Sequence, residues 1–167
     1  NPNEIAKKYY EEGADELIYS DCVASLYGRN SLTDLVKRAV KDIFIPITVA
    51  GGIRTEIDAN LLMQNGSDKL AINTELFNNE ELGGQLVKKF GSQSIILSIQ
   101  AKKISKNSWE AYKNFGRDKT NMDVIEWVKK MSVYNFGELL ITSIDADGIS
   151  NGFDVELFEK ICQNTNI

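Results

Sequence analysis

Residues 44–74, FIPITVAGGIRTEIDANLLMQNGSDKLAINT, leave this chain few ways to fold. An apolar run over 45–49 ends at the pair Gly51-Gly52. An amphipathic helix follows, carrying Ile57, Leu61 and Leu62, with Thr55 placed to cap its start and Asn65-Gly66 to end it. A second apolar run over 70–73 then closes in small polar residues. Two short apolar runs joined by a helix read as a β-α-β unit, whose strands are parallel and buried on both faces. In such folds, ligands bind at the carboxyl ends of the strands. At that end Gly51 and Gly52 leave backbone N–H groups that no Cβ shields, which suits a phosphate cradle. A tight strand-to-helix turn needs glycine equally, and the pair alone leaves both readings open.

The same alternation runs along the chain. A helix is predicted over 4–12, with Ile5, Ala6 and Tyr9 on one face and Gly13 as its stop. A strand over 16–22 ends near Asp21. Ser31 reads as the cap of a helix striped by Leu32, Leu35, Val36, Ala39 and Val40. Beyond the central unit come a helix over 79–90, a strand over 94–102, a helix over 122–133, a strand over 137–144 and a helix over 154–162. The inward faces predicted for the last two helices are Val124, Trp127, Val128 and Met131, then Leu157, Phe158 and Ile161. Gly83 and Gly84 weaken the 79–90 helix by roughly 1 kcal/mol each relative to alanine. Residues 103–120 break the rhythm. Asn107-Ser108 and Gly116-Arg117 predict a small hairpin with Trp109, Ala111 and Tyr112, standing off the strand end as a lid over a site.

A short motif recurs just before strands: Gly13-Ala14-Asp15-Glu16, Gly66-Ser67-Asp68-Lys69 and Phe136-Gly137-Glu138. The chain is therefore expected to be α/β, with a parallel sheet built from about five βα units. Part of a (βα)8 TIM barrel and a doubly wound open sheet both fit that pattern.

Composition narrows the function. The 167 residues suit one domain, and a net charge of −5 argues against non-specific nucleic-acid binding. No apolar run approaches the roughly 18 residues of a membrane span, so no membrane partner and a cytoplasmic location are expected. Cys22 and Cys162 lie far apart, and are expected to be reduced thiols in or near the core. The absence of histidine removes the commonest general base and most zinc sites, so neither a metal nor a cofactor is expected.

Six segments, GADELIYSD (13–21), IPITVAGGIR (45–54), SDKLAINT (67–74), FGSQSI (90–95), AKK (101–103) and GELLITSIDADG (137–148), carry a resemblance across essentially the whole chain. They resemble the HisF-like cyclase subunits of imidazole glycerol phosphate synthase, (βα)8 barrels of histidine biosynthesis. The resemblance implies strands two to six of such a barrel over 1–167, an incomplete barrel domain, with strand one and strands seven and eight missing. The chain opens without methionine and stops where a strand should begin, so a piece of a longer protein is expected. Unpaired apolar edges would make such a piece self-associate.

The resemblance implies a bisphosphorylated small-molecule substrate and a glutaminase subunit that supplies ammonia. One phosphate would lie near Gly51, Gly52, Asn73 and Thr74, and the other near Asp147 and Gly148. Asp21, Asp145 and Thr142 would line the barrel mouth. Glu16, Lys69 and Glu138 match three members of a charged ammonia gate at the opposite face; solvated rim charge is the plainer account of them. The family's chemistry uses two aspartates. One lies on the missing strand, and Gln100 stands where the other is expected. An amide cannot take a proton at neutral pH. Asp21 is the nearest candidate to replace it. Ala50 and Ile149 also depart from the family's common glycine and threonine. Either the chain belongs to a histidine-pathway cyclase, or it is a paralogous barrel that channels ammonia for sugar amidation without ring closure. Arg54, Arg117 and Lys119 are further candidates to reach a phosphate.

Overall fold

A computed structural model of the chain describes residues 1–22 and 32–167. The cap expected at Ser31 lies outside the described residues. The chain divides into two compact units, residues 1–71 and 72–167.

The first unit runs α1 (Pro2–Glu11), β1 (Leu17–Ser20), α2 (Leu32–Ala39), β2 (Ile47–Ala50), α3 (Glu56–Gln64) and β3 (Lys69–Ile72). β1 and β3 both pair with β2 in parallel, Leu17 opposite Ile47 and Thr48 opposite Lys69. All four residues of β2 are buried, as a continuous apolar run requires. Thr55 caps α3 in a reciprocal box with Asp58, so two otherwise orphaned N–H groups are satisfied at the helix start. The inward face of α3 differs from expectation. Ile57 is 78% exposed and Leu61 44%, while Ala59 and Leu62 are fully buried. On α1, likewise, Ala6 is buried and Ile5 and Tyr9 are exposed. On α1 the small Ala6 makes the close contact; on α3 Ala59 and Leu62 do, and Ile57 and Leu61 lie on the flank.

The second unit holds a 3-10 turn (Thr74–Phe77), α4 (Glu81–Phe90), β4 (Ile95–Ser105), β5 (Ser108–Lys113), β6 (Asp118–Asp123), α5 (Val124–Met131), β7 (Glu138–Ser143) and α6 (Val155–Cys162). β4 pairs in parallel with β7, from Ile96 opposite Glu138 to Ala101 opposite Ser143. It also pairs antiparallel with β5, which pairs antiparallel with β6. The fold class is thus α/β with mostly parallel pairing, but seven strands rather than five are present among the described residues. The extra two are the hairpin. It does not stand off as a lid: β4 runs on to Ser105, turns at Asn107 in the left-handed region (φ 60°), and returns as β5. Trp109, Ala111 and Tyr112 are all buried. α5 packs against β5 and buries Val124, Trp127, Val128 and Met131, the face its spacing predicts. Phe77 stacks on Trp127 at 4.1 Å between ring centroids.

The two glycines of α4 have a packing reason. A Cβ at Gly83 would lie 2.6 Å from Phe136 Cζ, and one at Gly84 2.6 Å from Tyr134 Cδ1. Helix propensity alone makes Gly83→Ala stabilising by about 1 kcal/mol. The buried Phe136 ring opposes this, and overpacking costs typically 1–3 kcal/mol. Gly83→Ala is therefore expected to lower stability by about 1 kcal/mol in urea unfolding; a gain would mean that the ring moves aside freely.

Both cysteines are exposed, which corrects the expectation that they lie in or near the core. Cys22 falls beyond the last paired residue of β1, and Cys162 closes α6 off the face that buries Leu157 and Ile161. Phe158, expected inward on that helix, is only half-buried.

Candidate active site

In the first unit, candidate residues collect at both ends of the parallel strands. At the carboxyl end, Ser20 opposite Ala50 is the last registered pair, and Asp21 and Gly51 come next. The Asp21 N–H donates to the Ala50 carbonyl at 2.9 Å. Gly51 has φ +102°, and a Cβ there would lie 2.6 Å from the Asp21 carbonyl oxygen. Glycine is therefore required at 51 by the passage of the Asp21 main chain, before any ligand is considered. Gly52 follows, buried, with φ +74°.

At the amino end, Glu16 precedes β1 and Lys69 opens β3, so the two flank β2. Lys69 Nζ donates to both carboxylate oxygens of Glu16, at 2.9 and 3.1 Å. The lysine side chain is 16% exposed and the glutamate 48%. A pair this open to water contributes less than about 1 kcal/mol to stability. Glu138 opens β7 in the second unit, opposite Ile96, and is half-buried.

The second unit brings together Gln100, Thr142, Asn73 and Thr74. Gln100 is buried in β4, opposite Thr142 on β7 and opposite Tyr112 on β5. Its Oε1 accepts from the Gly116 N–H at 2.8 Å. Asn73 Nδ2 donates to the carbonyls of Ser98 (3.1 Å) and Tyr112 (3.2 Å). Thr74 Oγ1 donates to Asn73 Oδ1 at 3.3 Å and accepts from the Asn114 N–H at 3.0 Å.

A cleft of about 420 Å³ opens at Thr142 alone of these, lined also by Asp147, Gly148, Phe153, Asp154 and Phe158 among others. Asp147 and Gly148 are exposed on its rim. Asp145 is turned to another task, accepting from the Lys103 N–H at 2.8 Å. Of the basic candidates, Arg117 Nη1 donates to the Asn114 carbonyl at 3.1 Å, Lys119 is exposed on β6, and the Arg54 N–H donates to Asp58 at 3.1 Å.

Sequence reasoning missed Asp154. Its Oδ1 accepts from the Leu157 N–H at 3.1 Å and so caps α6. Its Oδ2 accepts from Trp109 Nε1 at 3.0 Å and from Ser143 Oγ at 3.2 Å. One carboxylate therefore ties helix, hairpin and strand together at the wall of the cleft. An aspartate at a helix start was the only local signal. Beside it, Lys103 Nζ meets Glu156 Oε2 at 2.5 Å, and this hydrogen bond holds the lysine ammonium above its ordinary range. Among the described residues, no group of three acidic, cysteine or histidine side chains could hold a metal ion, and no helix is long and apolar enough to cross a membrane.

Comparison with known proteins places this geometry in context. The histidine biosynthesis protein family matches residues 1–167. Over 167 residues the chain is 48% identical to a Legionella pneumophila protein named imidazole glycerol phosphate synthase subunit HisF, covering 100% of this chain and 79% of that protein. Proteins of the same name from Corynebacterium glutamicum (strain R) and Hydrogenobaculum sp. are 41% and 42% identical. Those matches cover 96% and 100% of this chain but only 65% and 66% of the relatives, so the chain spans just under two thirds of their length.

Proposed function

Since this chain belongs to the histidine biosynthesis protein family, we propose that it forms the central part of the cyclase barrel of an imidazole glycerol phosphate synthase. In that reading, ammonia from a glutaminase subunit converts a ribulosyl-formimino carboxamide ribonucleotide to imidazole glycerol phosphate and AICAR. The observation that carries the reading is the identity of 48% sustained over all 167 residues with a HisF subunit. The geometry supports it: in each unit, the polar candidates gather where parallel strands end.

Each residue would act as its chemistry allows. In the second unit, Asn73 and Thr74 would hold one phosphate, and Asp147 and Gly148 at the rim of the cleft the other; in the first, Gly52 leaves the backbone open to phosphate. Thr142 stands beside Gln100 in register and would donate to the bound substrate. The ring closure needs proton transfer, and Gln100 can only hydrogen-bond. Proton transfer would then fall to carboxylates such as Asp21. Glu16 and Lys69 at the amino ends of the first unit's strands, and Glu138 at the start of β7 in the second, would each serve the ammonia gate.

Gln100 also favours a second reading, in which the barrel channels ammonia for sugar amidation and closes no ring. Its amide oxygen is already engaged by Gly116. The full-length protein, assayed with free ammonia and the ribonucleotide beside a Gln100→Asp variant, separates the two. Turnover by the natural protein is expected. Turnover that appears only with aspartate at 100 would overturn the cyclase reading and favour the amidation branch.

A further inference from the structure

Thr74 and Gln100 direct polar atoms at one short segment, the turn between β5 and β6, and Asn73 bonds the strand that enters it. That turn is unusual. Asn114, Phe115 and Gly116 are consecutive residues in the left-handed region, with φ of 53°, 58° and 72°. Glycine adopts this conformation readily and asparagine tolerates it, but for phenylalanine it is a strained outlier. Strained backbone persists only where its surroundings hold it.

The restraints are visible. The Arg117 N–H closes the turn on the Lys113 carbonyl at 3.2 Å, and the Asn114 side chain bonds Asp118. Two N–H groups of the turn find acceptors elsewhere in the unit: Asn114 at Thr74 Oγ1 (3.0 Å) and Gly116 at Gln100 Oε1 (2.8 Å). Asn73 fastens the incoming strand through the Tyr112 carbonyl.

We propose that Gln100 is a positioning residue: with Thr74, it latches the left-handed turn 114–117 beside the middle of β4, where the parallel pairing of β4 with β7 ends, and so sets the geometry of Asn73 and Thr74. The role requires an acceptor of a particular reach. Aspartate is one methylene shorter, roughly 1.5 Å, which takes its oxygens out of range of the Gly116 N–H. Glutamate has the reach of glutamine and still accepts. Length, not proton affinity, is thus what glutamine supplies at this position. The latch itself rests on geometry alone; its consequence for substrate rests on the phosphate subsite proposed above.

The test uses the full-length protein with Gln100→Glu, Gln100→Asp, Gln100→Ala and Thr74→Val. Amide hydrogen exchange is followed by NMR. The Gly116 amide is expected to stay protected in the natural protein and in Gln100→Glu. It should exchange about tenfold faster with aspartate or alanine at 100. Thr74→Val should release Asn114 more than Gly116. Equal protection of Gly116 in all variants, or full protection with aspartate, overturns the latch whether or not the protein turns over the ribonucleotide. In steady-state assays, Gln100→Ala is expected to raise KM at nearly constant kcat, with recovery in Gln100→Glu. A loss confined to kcat would place Gln100 at the reacting atoms and overturn the positioning role.

Discussion

Gly137→Ala is expected to destabilise the protein by about 3 kcal/mol or more, at the upper end of what overpacking costs. A Cβ at Gly137 would lie 2.4 Å from the Ser92 carbonyl oxygen, 2.8 Å from the Ser92 carbonyl carbon and 3.0 Å from Gln93 Cα. All three atoms are main chain, and a methyl group has no rotamer by which to avoid them. Relief requires the two backbones to separate. Yet the Gly137 N–H is tied to the Ile95 carbonyl at 3.1 Å, and Ile95 is the first residue of β4. Moving Gly137 therefore disturbs the entry of β7 into its ladder. Urea unfolding of the full-length protein should show a midpoint well below that of the natural protein at similar m. A loss under about 1 kcal/mol would mean that the crossing relaxes without strand displacement.

The second large effect is expected at Asp154. Its replacement by alanine removes a helix cap, about 1 kcal/mol, and orphans the indole N–H of Trp109, a further 1–3 kcal/mol or so. Trp109 is only 1% exposed, so water cannot readily replace the lost acceptor. The total for Asp154→Ala is about 2–4 kcal/mol by these terms, before any change at Ser143. Asp154→Asn offers one acceptor oxygen where two are used, so with the cap kept its NH2 faces the Trp109 N–H, and it should lose about 1–3 kcal/mol. Thermal unfolding combined with the emission maximum of tryptophan separates the cases. Equal losses in the two variants would show that the cap adds nothing measurable to the stability of this corner.

These two positions also mark what sequence reading can reach. The strands at 45–49, 94–102 and 137–144 were legible because each is a continuous apolar run, the mark of a parallel strand, although β7 itself is mostly half-buried. The α5 face was legible because Val124, Trp127, Val128 and Met131 repeat at helical spacing and are all fully buried. β6 was not legible: its residues, DKTNMD, carry no apolar alternation, and none of them is fully buried. A strand of that kind is specified by its partner β5 rather than by its own pattern. The overestimated cores of α1 and α3 have a related cause, since Ile5, Ile57 and Leu61 are apolar by type and outward by position. The structure sets Gln100 and Thr142 opposite each other on β4 and β7, and both could be singled out from the segments around them. The Gln100–Gly116 and Trp109–Asp154 bonds could not, because they join residues 16 and 45 positions apart whose meeting depends on the hairpin's register.

That register has a consequence for how the chain reaches its native state. β4, β5 and β6 are consecutive and joined by turns of a few residues, so their pairing closes small loops with little entropic cost. β7 meets β4 only after the hairpin and α5 have been traversed. Local contacts form faster than distant ones when stability is similar. The antiparallel meander is therefore the natural early structure of the second unit, a preassembled edge on which the slower parallel pairing is templated. A feature that reads in the finished molecule as an insertion into a βα repeat is, in the order of assembly, its starting point.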